Sequence, residues 1–195
     1  MAKIGQAKIF SEAEFLKVLE VVNTSRSRSR DLALIIFSFG LGLRAKELAS
    51  LTVGDVADDN YNPRDKIYIK SQTEIYRRQG RYMYTSNPKV YGALAEHLKS
   101  IAGIGLDKPL FQSHLRQAFS PCSLQKWFSK TYQRAGITGA SSQSGRRTYI
   151  TKLIEKGIDL RTVSKLAGHS SVTTTVLYAE DVTHNLKLIS SMALF

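Results

Sequence analysis

The chain has 195 residues, enough for one domain with its own core and too few for two of ordinary size. It carries 28 lysines and arginines against 16 acidic residues, a net charge of +12, which points to nucleic acid first, to an acidic membrane surface second, and otherwise to a merely solvated basic surface. The single cysteine, Cys122, excludes an internal disulfide and a multi-cysteine zinc site and fits a reduced cytoplasm, while no apolar run reaches transmembrane length and the N-terminus lacks the apolar core of a signal peptide.

Residues 1–10 read as a basic tail. Ser11 and Glu14 fit a capping box, and Phe15, Val18, Leu19 and Val22 follow at helical spacing on one face. The Ser25–Arg30 run of alternating serine and arginine reads as a solvated loop, with phosphate contact as the sharper alternative. Asp31 to Phe39 is apolar at nearly every position, which predicts a helix buried on most sides and ended by Gly40 and Gly42. Arg44 opens a short helix over about Ala45 to Leu51. A helix start favours a nearby phosphate and an arginine there adds paired donors; the plain alternative pairs Arg44 with Glu47 on the helix surface.

Turn residues at 58–63 precede two alternating stretches, Lys66 to Gln72 and Arg81 to Thr85. Arg77 and Arg78 fall near the turn between them, so the segment reads as a β-hairpin with a basic tip. Ser86, Asn87 and Pro88 start a helix to about Ile101, closed by Gly103 and Gly105. Ser120 and Pro121 start another, with Leu124, Trp127 and Phe128 on one face and Gly136 after it; Trp127 reads as core rather than as a base-stacking platform. Further helices are predicted over Gly145 to Lys156, from Asp159 to Gly168, and from Ser170 or Ser171 through Tyr178. Leu186, Ile189, Met192 and Phe195 form an apolar face at helical spacing near the end. The expected fold class is α+β, mainly α, with one small antiparallel β-sheet. His97, His114 and His184 read as helix-end residues.

Cutting a phosphodiester without a metal needs an in-line nucleophile, positive groups on the non-bridging oxygens, an acceptor for the nucleophile's proton and a donor for the leaving oxygen. Tyr178 suits the first role, because its phenolate also leaves well and so stores the bond for religation. Arg44 and Arg146 suit the second through paired N–H groups. His169 is placed to donate to the same phosphate, and Gly168 allows a sharp turn just before it. Singly, each has a plainer reading: tyrosine in a helix usually packs, a lone histidine usually ends a helix, and Arg147 beside Arg146 is a surface charge.

What outweighs the plain readings is the order Arg44, Arg146, His169, Tyr178, with Tyr178 nine residues past His169 and Leu166-Ala167-Gly168-His169-Ser170-Ser171 running on to Thr173-Thr174-Thr175-Val176-Leu177-Tyr178. This arrangement resembles the catalytic domain of the tyrosine recombinases of the phage-integrase family, from about Lys8 to about Leu186. The resemblance implies site-specific recombination or integration of double-stranded DNA through a 3′-phosphotyrosine, with no metal or nucleotide cofactor, by a homo-oligomer that forms a tetrameric synapse. It implies DNA contacts for Arg77, Arg78, Arg81 and Arg147, and no membrane or small-molecule partner. It makes residues 1–195 a single catalytic domain without the family's N-terminal core-binding domain, either a minimal protein or a fragment, with residues 182–195 as a C-terminal helix that docks in trans or packs in cis.

Two positions depart from the family. Its His-x-x-Arg reads Gln143-Ser144-Gly145-Arg146 here, and an amide cannot carry the tyrosine's proton. The hairpin lysine that serves the family as the acid is Lys70 by counting from Arg44, whereas matching Gln72-Thr73-Glu74 to a common run puts a glutamate there. The alternatives are a catalytically silent DNA-binding relative, then a type IB topoisomerase-like enzyme, then an unrelated helix-turn-helix regulator.

Overall fold

The computed structural model describes residues 6–71 and 80–179. The predicted hairpin tip with Arg77 and Arg78, and the C-terminal segment 182–195, lie outside these residues. The architecture is mainly helical with a two-stranded antiparallel sheet, as the pattern predicts.

Helix α1 (Glu12–Asn23) starts at the expected capping box: Ser11 Oγ accepts from the Glu14 N–H at 3.3 Å, and Glu14 Oε2 accepts from the Ser11 N–H at 3.1 Å. The end of the expected basic tail does not trail into solvent. Phe10 is buried against the rings of Phe39 and Tyr132, and its N–H donates to Thr148 Oγ1 at 2.9 Å.

Helix α2 (Arg28–Gly40) begins earlier than its apolar run suggests. The serine–arginine stretch therefore supplies a helix start rather than a solvated loop. Arg28 pairs with Glu96, and Arg30 holds Asp31 through two hydrogen bonds and the Gln112 carbonyl at 2.8 Å. Satisfied in this way, Asp31 enters the interior with Ala33, Leu34, Ile35 and Phe37. Burial on most sides makes α2 the central helix, packed against α1, α3 (Ala45–Ser50), α5 (Pro88–Ser100) and α7 (Ser144–Glu155).

A single turn, α4 (Val53–Val56), leads into the sheet. Strand β1 (Lys66–Ile69) pairs with β2 (Arg81–Tyr84) in the register Ile67↔Met83 and Tyr68↔Tyr82. Period-two alternation sends Ile67, Ile69 and Met83 inward, with Lys66, Tyr68, Tyr82 and Tyr84 outward. Helix α6 (Pro121–Arg134) buries Leu124 and Phe128; Trp127 packs partly buried against the core, edge to face with Phe128.

Helices α7, α8 (Leu160–Ala167) and α9 (Val172–Ala179) share a second apolar cluster of Ile150, Val163 and Ala167, with Tyr178 against it. Gly145 lets α7 approach α2, because a Cβ there would collide with Ser38 Oγ and come within 2.9 Å of the Phe39 ring. That close approach brings the next residue, Arg146, into the interior. No helix among the described residues is long and apolar enough to cross a membrane.

Candidate active site

Arg146 is the most enclosed of the predicted site residues that are described, with 2 % of its surface exposed. Its guanidinium donates to two carbonyl oxygens far apart in sequence, Gly42 at 2.8 Å and Ala167 at 2.5 Å. One side chain thus ties the segment before Arg44 to the end of α8. Burial, then repulsion from Arg44, pushes its pKa down to about 9, so it stays charged at neutral pH. An anion is the natural complement of such a charge.

Arg44 sits at the N-cap of α3 and does pair with Glu47, Nη1 to Oε1 at 3.2 Å. The pair is not the surface contact of the plain reading, since Glu47 is buried. Nor is the helix start fully open to a phosphate, because the Arg44 N–H is taken by Glu47 Oε2 at 2.8 Å. The stronger partner of Glu47 comes from the sheet. Arg81 donates Nη1 to Oε1 at 2.6 Å and Nη2 to Oε2 at 3.0 Å, in the fork-on-fork geometry that arginine makes with carboxylates. Burial alone would raise the Glu47 carboxyl, but the hydrogen bonds and charge of Arg81, with Arg44 behind them, hold it below the usual range.

Gly168 ends α8 at φ +65°, and a Cβ there would approach Arg81 Nη1 to 2.8 Å. The left-handed turn and the bare backbone together let β2 close on the turn that carries His169. The His169 ring stacks on Tyr178 at 5.7 Å between centroids, and its Nδ1 lies 2.8 Å from Thr175 Oγ1, one turn before Tyr178 on α9. The expected cap of α9 is present, Ser171 Oγ accepting from Thr173 N–H at 3.2 Å. Burial first, and then the charges of Arg146, Arg44 and Arg81, push the His169 pKa down to about 4. At neutral pH the imidazole is uncharged, with one N–H to give. Arg44, Arg81, Arg146, His169 and Tyr178 therefore act on one another electrostatically although the chain spreads them over more than a hundred residues.

Gln143 lies at the N-cap of α7, with its side chain on a cavity of about 220 Å³ that Tyr178, Arg147 and Thr174 also line. Arg147 turns toward the N-terminal segment, donating to the Ala7 carbonyl and to Gln6 Oε1, each at 2.5 Å. That contact is with protein, and Arg147 stays partly exposed. Arg81, expected as a DNA contact, is enclosed. Lys70 follows β1, is largely exposed and pairs with Asp55 at 3.4 Å. Glu47 and Thr175 escaped the sequence reading. A glutamate three residues after Arg44 was visible only as a surface partner, and nothing local marks Thr175 among three consecutive threonines. His97 does lie in the last turn of α5, but buried, with Nε2 2.9 Å from the Leu110 carbonyl and its ring stacked on Phe111.

The chain is similar to known proteins over most of its length. The chain is 30 % identical over 196 aligned residues to a tyrosine recombinase XerC-like protein of Caldanaerobacter subterraneus subsp. tengcongensis, covering 87 % of this chain and 49 % of that protein. It is 27 % identical to tyrosine recombinase XerA of Pyrococcus furiosus, covering 92 % of this chain and 59 % of the relative. The chain thus spans about half to three-fifths of the length of these relatives. The fold matches that of a XerA recombinase crystal structure with a TM-score of 0.71 at 22 % identity, over 91 % of this chain and 60 % of that one. It also matches a XerH site-specific recombinase bound to a palindromic difH substrate, with a TM-score of 0.68 at 23 % identity, over 94 % of this chain and 52 % of the other. The phage integrase family profile matches residues 8–184, nearly the whole chain, and the chain belongs to that family.

Proposed function

We propose that this domain is the catalytic domain of a tyrosine-type site-specific recombinase that cuts and rejoins double-stranded DNA through Tyr178, at a rate limited by Gln143. The observation that carries the reading is Arg146, buried and charged, with Arg44, His169 and Tyr178 around it. The phosphate of a duplex supplies the missing negative charge. Arg146 and the half-exposed Arg44 hold its non-bridging oxygens, and neutral His169 donates its one N–H to the same group. The Tyr178 oxygen attacks phosphorus, the bond to the 5′-oxygen breaks, and the phenolate's later departure reverses the step on a new 5′-hydroxyl.

Two protons need carriers. The phenolic proton has water or hydroxide as its destination, since the Gln143 amide beside the Tyr178 cavity cannot take it. For the leaving oxygen, Lys70 is the described candidate, paired with Asp55 at 3.4 Å. Partner copies complete a synapse on DNA, with segment 182–195 docking in trans, as the resemblance to recombinases implies. The hairpin arginines Arg77 and Arg78, part of the +12 charge, supply phosphate contacts.

The test is incubation with a nicked duplex, whose broken strand prevents religation, followed by a denaturing gel. A covalent complex lost in Tyr178→Phe is expected. Gln143 favours a second reading, a DNA-binding relative that does not cut; duplex binding with no covalent complex at any pH would replace the first reading with the second.

A further inference from the structure

Arg81 stands inside the cluster of charges yet offers little to a duplex. Its side chain is 11 % exposed, against 37 % for Arg44. Both terminal nitrogens are engaged by Glu47, and its Nε is buried with no hydrogen-bond partner among the described residues. Glu47, for its part, is a buried carboxylate, and such a group needs a cationic partner. Two arginines are within reach. Arg81 occupies both oxygens, which leaves the Arg44 guanidinium a single longer contact at 3.2 Å.

This arrangement matters because an arginine clamped by a carboxylate has fewer donors for a phosphate. We propose that Arg81 is a positioning residue: by saturating Glu47 with a two-point ion pair it keeps the Arg44 guanidinium from being drawn into that carboxylate, and so holds Arg44 available to the phosphate. The inference rests on the recombinase reading of the site. It gives β2 a task that a surface arginine would not have, since seating the strand against Gly168, with Arg81 on Glu47, is what releases Arg44. Arg81 touches no reacting atom in this scheme.

The scheme makes an unusual demand on a double variant. In Arg81→Ala, Glu47 captures Arg44, and single-turnover formation of the covalent complex on a nicked duplex drops by about tenfold or more, while duplex affinity changes by less than about twofold, as coupled neighbours allow. Adding Glu47→Gln to that variant removes the competing charge and recovers most of the lost rate. A double variant no faster than Arg81→Ala overturns the proposal, as does a loss of duplex affinity that matches the loss of rate, which would make Arg81 a DNA contact.

If the parent protein forms no covalent complex, the recombinase reading has failed and the proposal is decided separately. Inorganic phosphate is then titrated while the Arg44 side-chain N–H is followed by NMR. Weaker phosphate binding in Arg81→Ala, recovered in the double variant, supports the proposal; equal binding in all three proteins overturns it. Should circular dichroism show Arg81→Ala unfolded, Arg81→Lys takes its place in both comparisons. It frees one Glu47 oxygen for Arg44, so a partial loss that Glu47→Gln recovers is expected, and no recovery counts against the proposal.

Discussion

Arg146 on α7 reaches the carbonyl oxygen of Ala167 at 2.5 Å, two residues before His169. The contact joins the arginine and histidine motifs through a backbone oxygen, so the side chain that supplies charge also fixes where the histidine turn lies. Arg44, by contrast, is half-exposed and makes one side-chain hydrogen bond among the described residues.

The two arginines should therefore fail differently. Arg44→Ala should lower cleavage by about 10²–10³, the usual cost of one lost transition-state donor, with little change in the urea midpoint, since Arg81 still neutralises Glu47. Arg146→Ala should lose cleavage at least as severely and also destabilise the fold by about 2–4 kcal/mol, because two buried carbonyls lose their partner and a cavity remains. Paired urea titrations and single-turnover gels measure both. Equal stability losses in the two variants would contradict the division of labour.

Gly168→Ala places a side chain at φ +65° and within 2.9 Å of Arg81. A cost of about 1–3 kcal/mol is expected from the left-handed backbone and the crowding. Its effect should extend to His169, whose turn and ring position depend on that residue, and the His169 ring resonances report it. A variant as stable as the parent, with unmoved His169 signals, would show that the turn tolerates a Cβ.

His169 is pushed down to about 4 and His97 is also lowered, both chiefly by burial. Between about pH 6.5 and about pH 4 the unfolded chain then binds more protons than the folded one. The contribution from these histidines is fully present above pH 6.5 and is lost as the pH falls toward 4. Denaturation midpoints should decline over that window, less so in His97→Gln. The sharper check is NMR titration of the His169 ring; a midpoint near 6.5 would mean that the imidazole is not held neutral by its surroundings.

Gln143→His should speed covalent-complex formation by at least about tenfold at neutral pH, since a positioned general base is typically worth about 10²–10⁴. Raising the pH should narrow the gap, because hydroxide and free phenolate then replace the base. Matching rates at neutral pH would remove position 143 from the proton path.

Local chemistry was legible in the chain. Ser11 with Glu14, Asn87, Ser120, Asp159 and Ser171 mark helix starts because a cap is a contact over two or three residues, and the alternation of β1 and β2 follows from a pleat of period two. The order Arg44, Arg146, His169, Tyr178 carried the family resemblance, since chemistry at one phosphate needs those residue types wherever the chain places them. Burial of the charges was not legible. Arg30 looked solvated until it met Asp31 and the Gln112 carbonyl, and Arg147 looked like a surface charge until the segment at Gln6 and Ala7 lay beside it. Glu47 looked like the surface mate of Arg44, but seating β2 on α8 brings in Arg81 from 34 positions away and makes the buried pair. A guanidinium reads the same in sequence whether water or a carboxylate surrounds it; only the packing of distant elements removes the water, and with it decides which arginines hold the protein together and which remain for a phosphate.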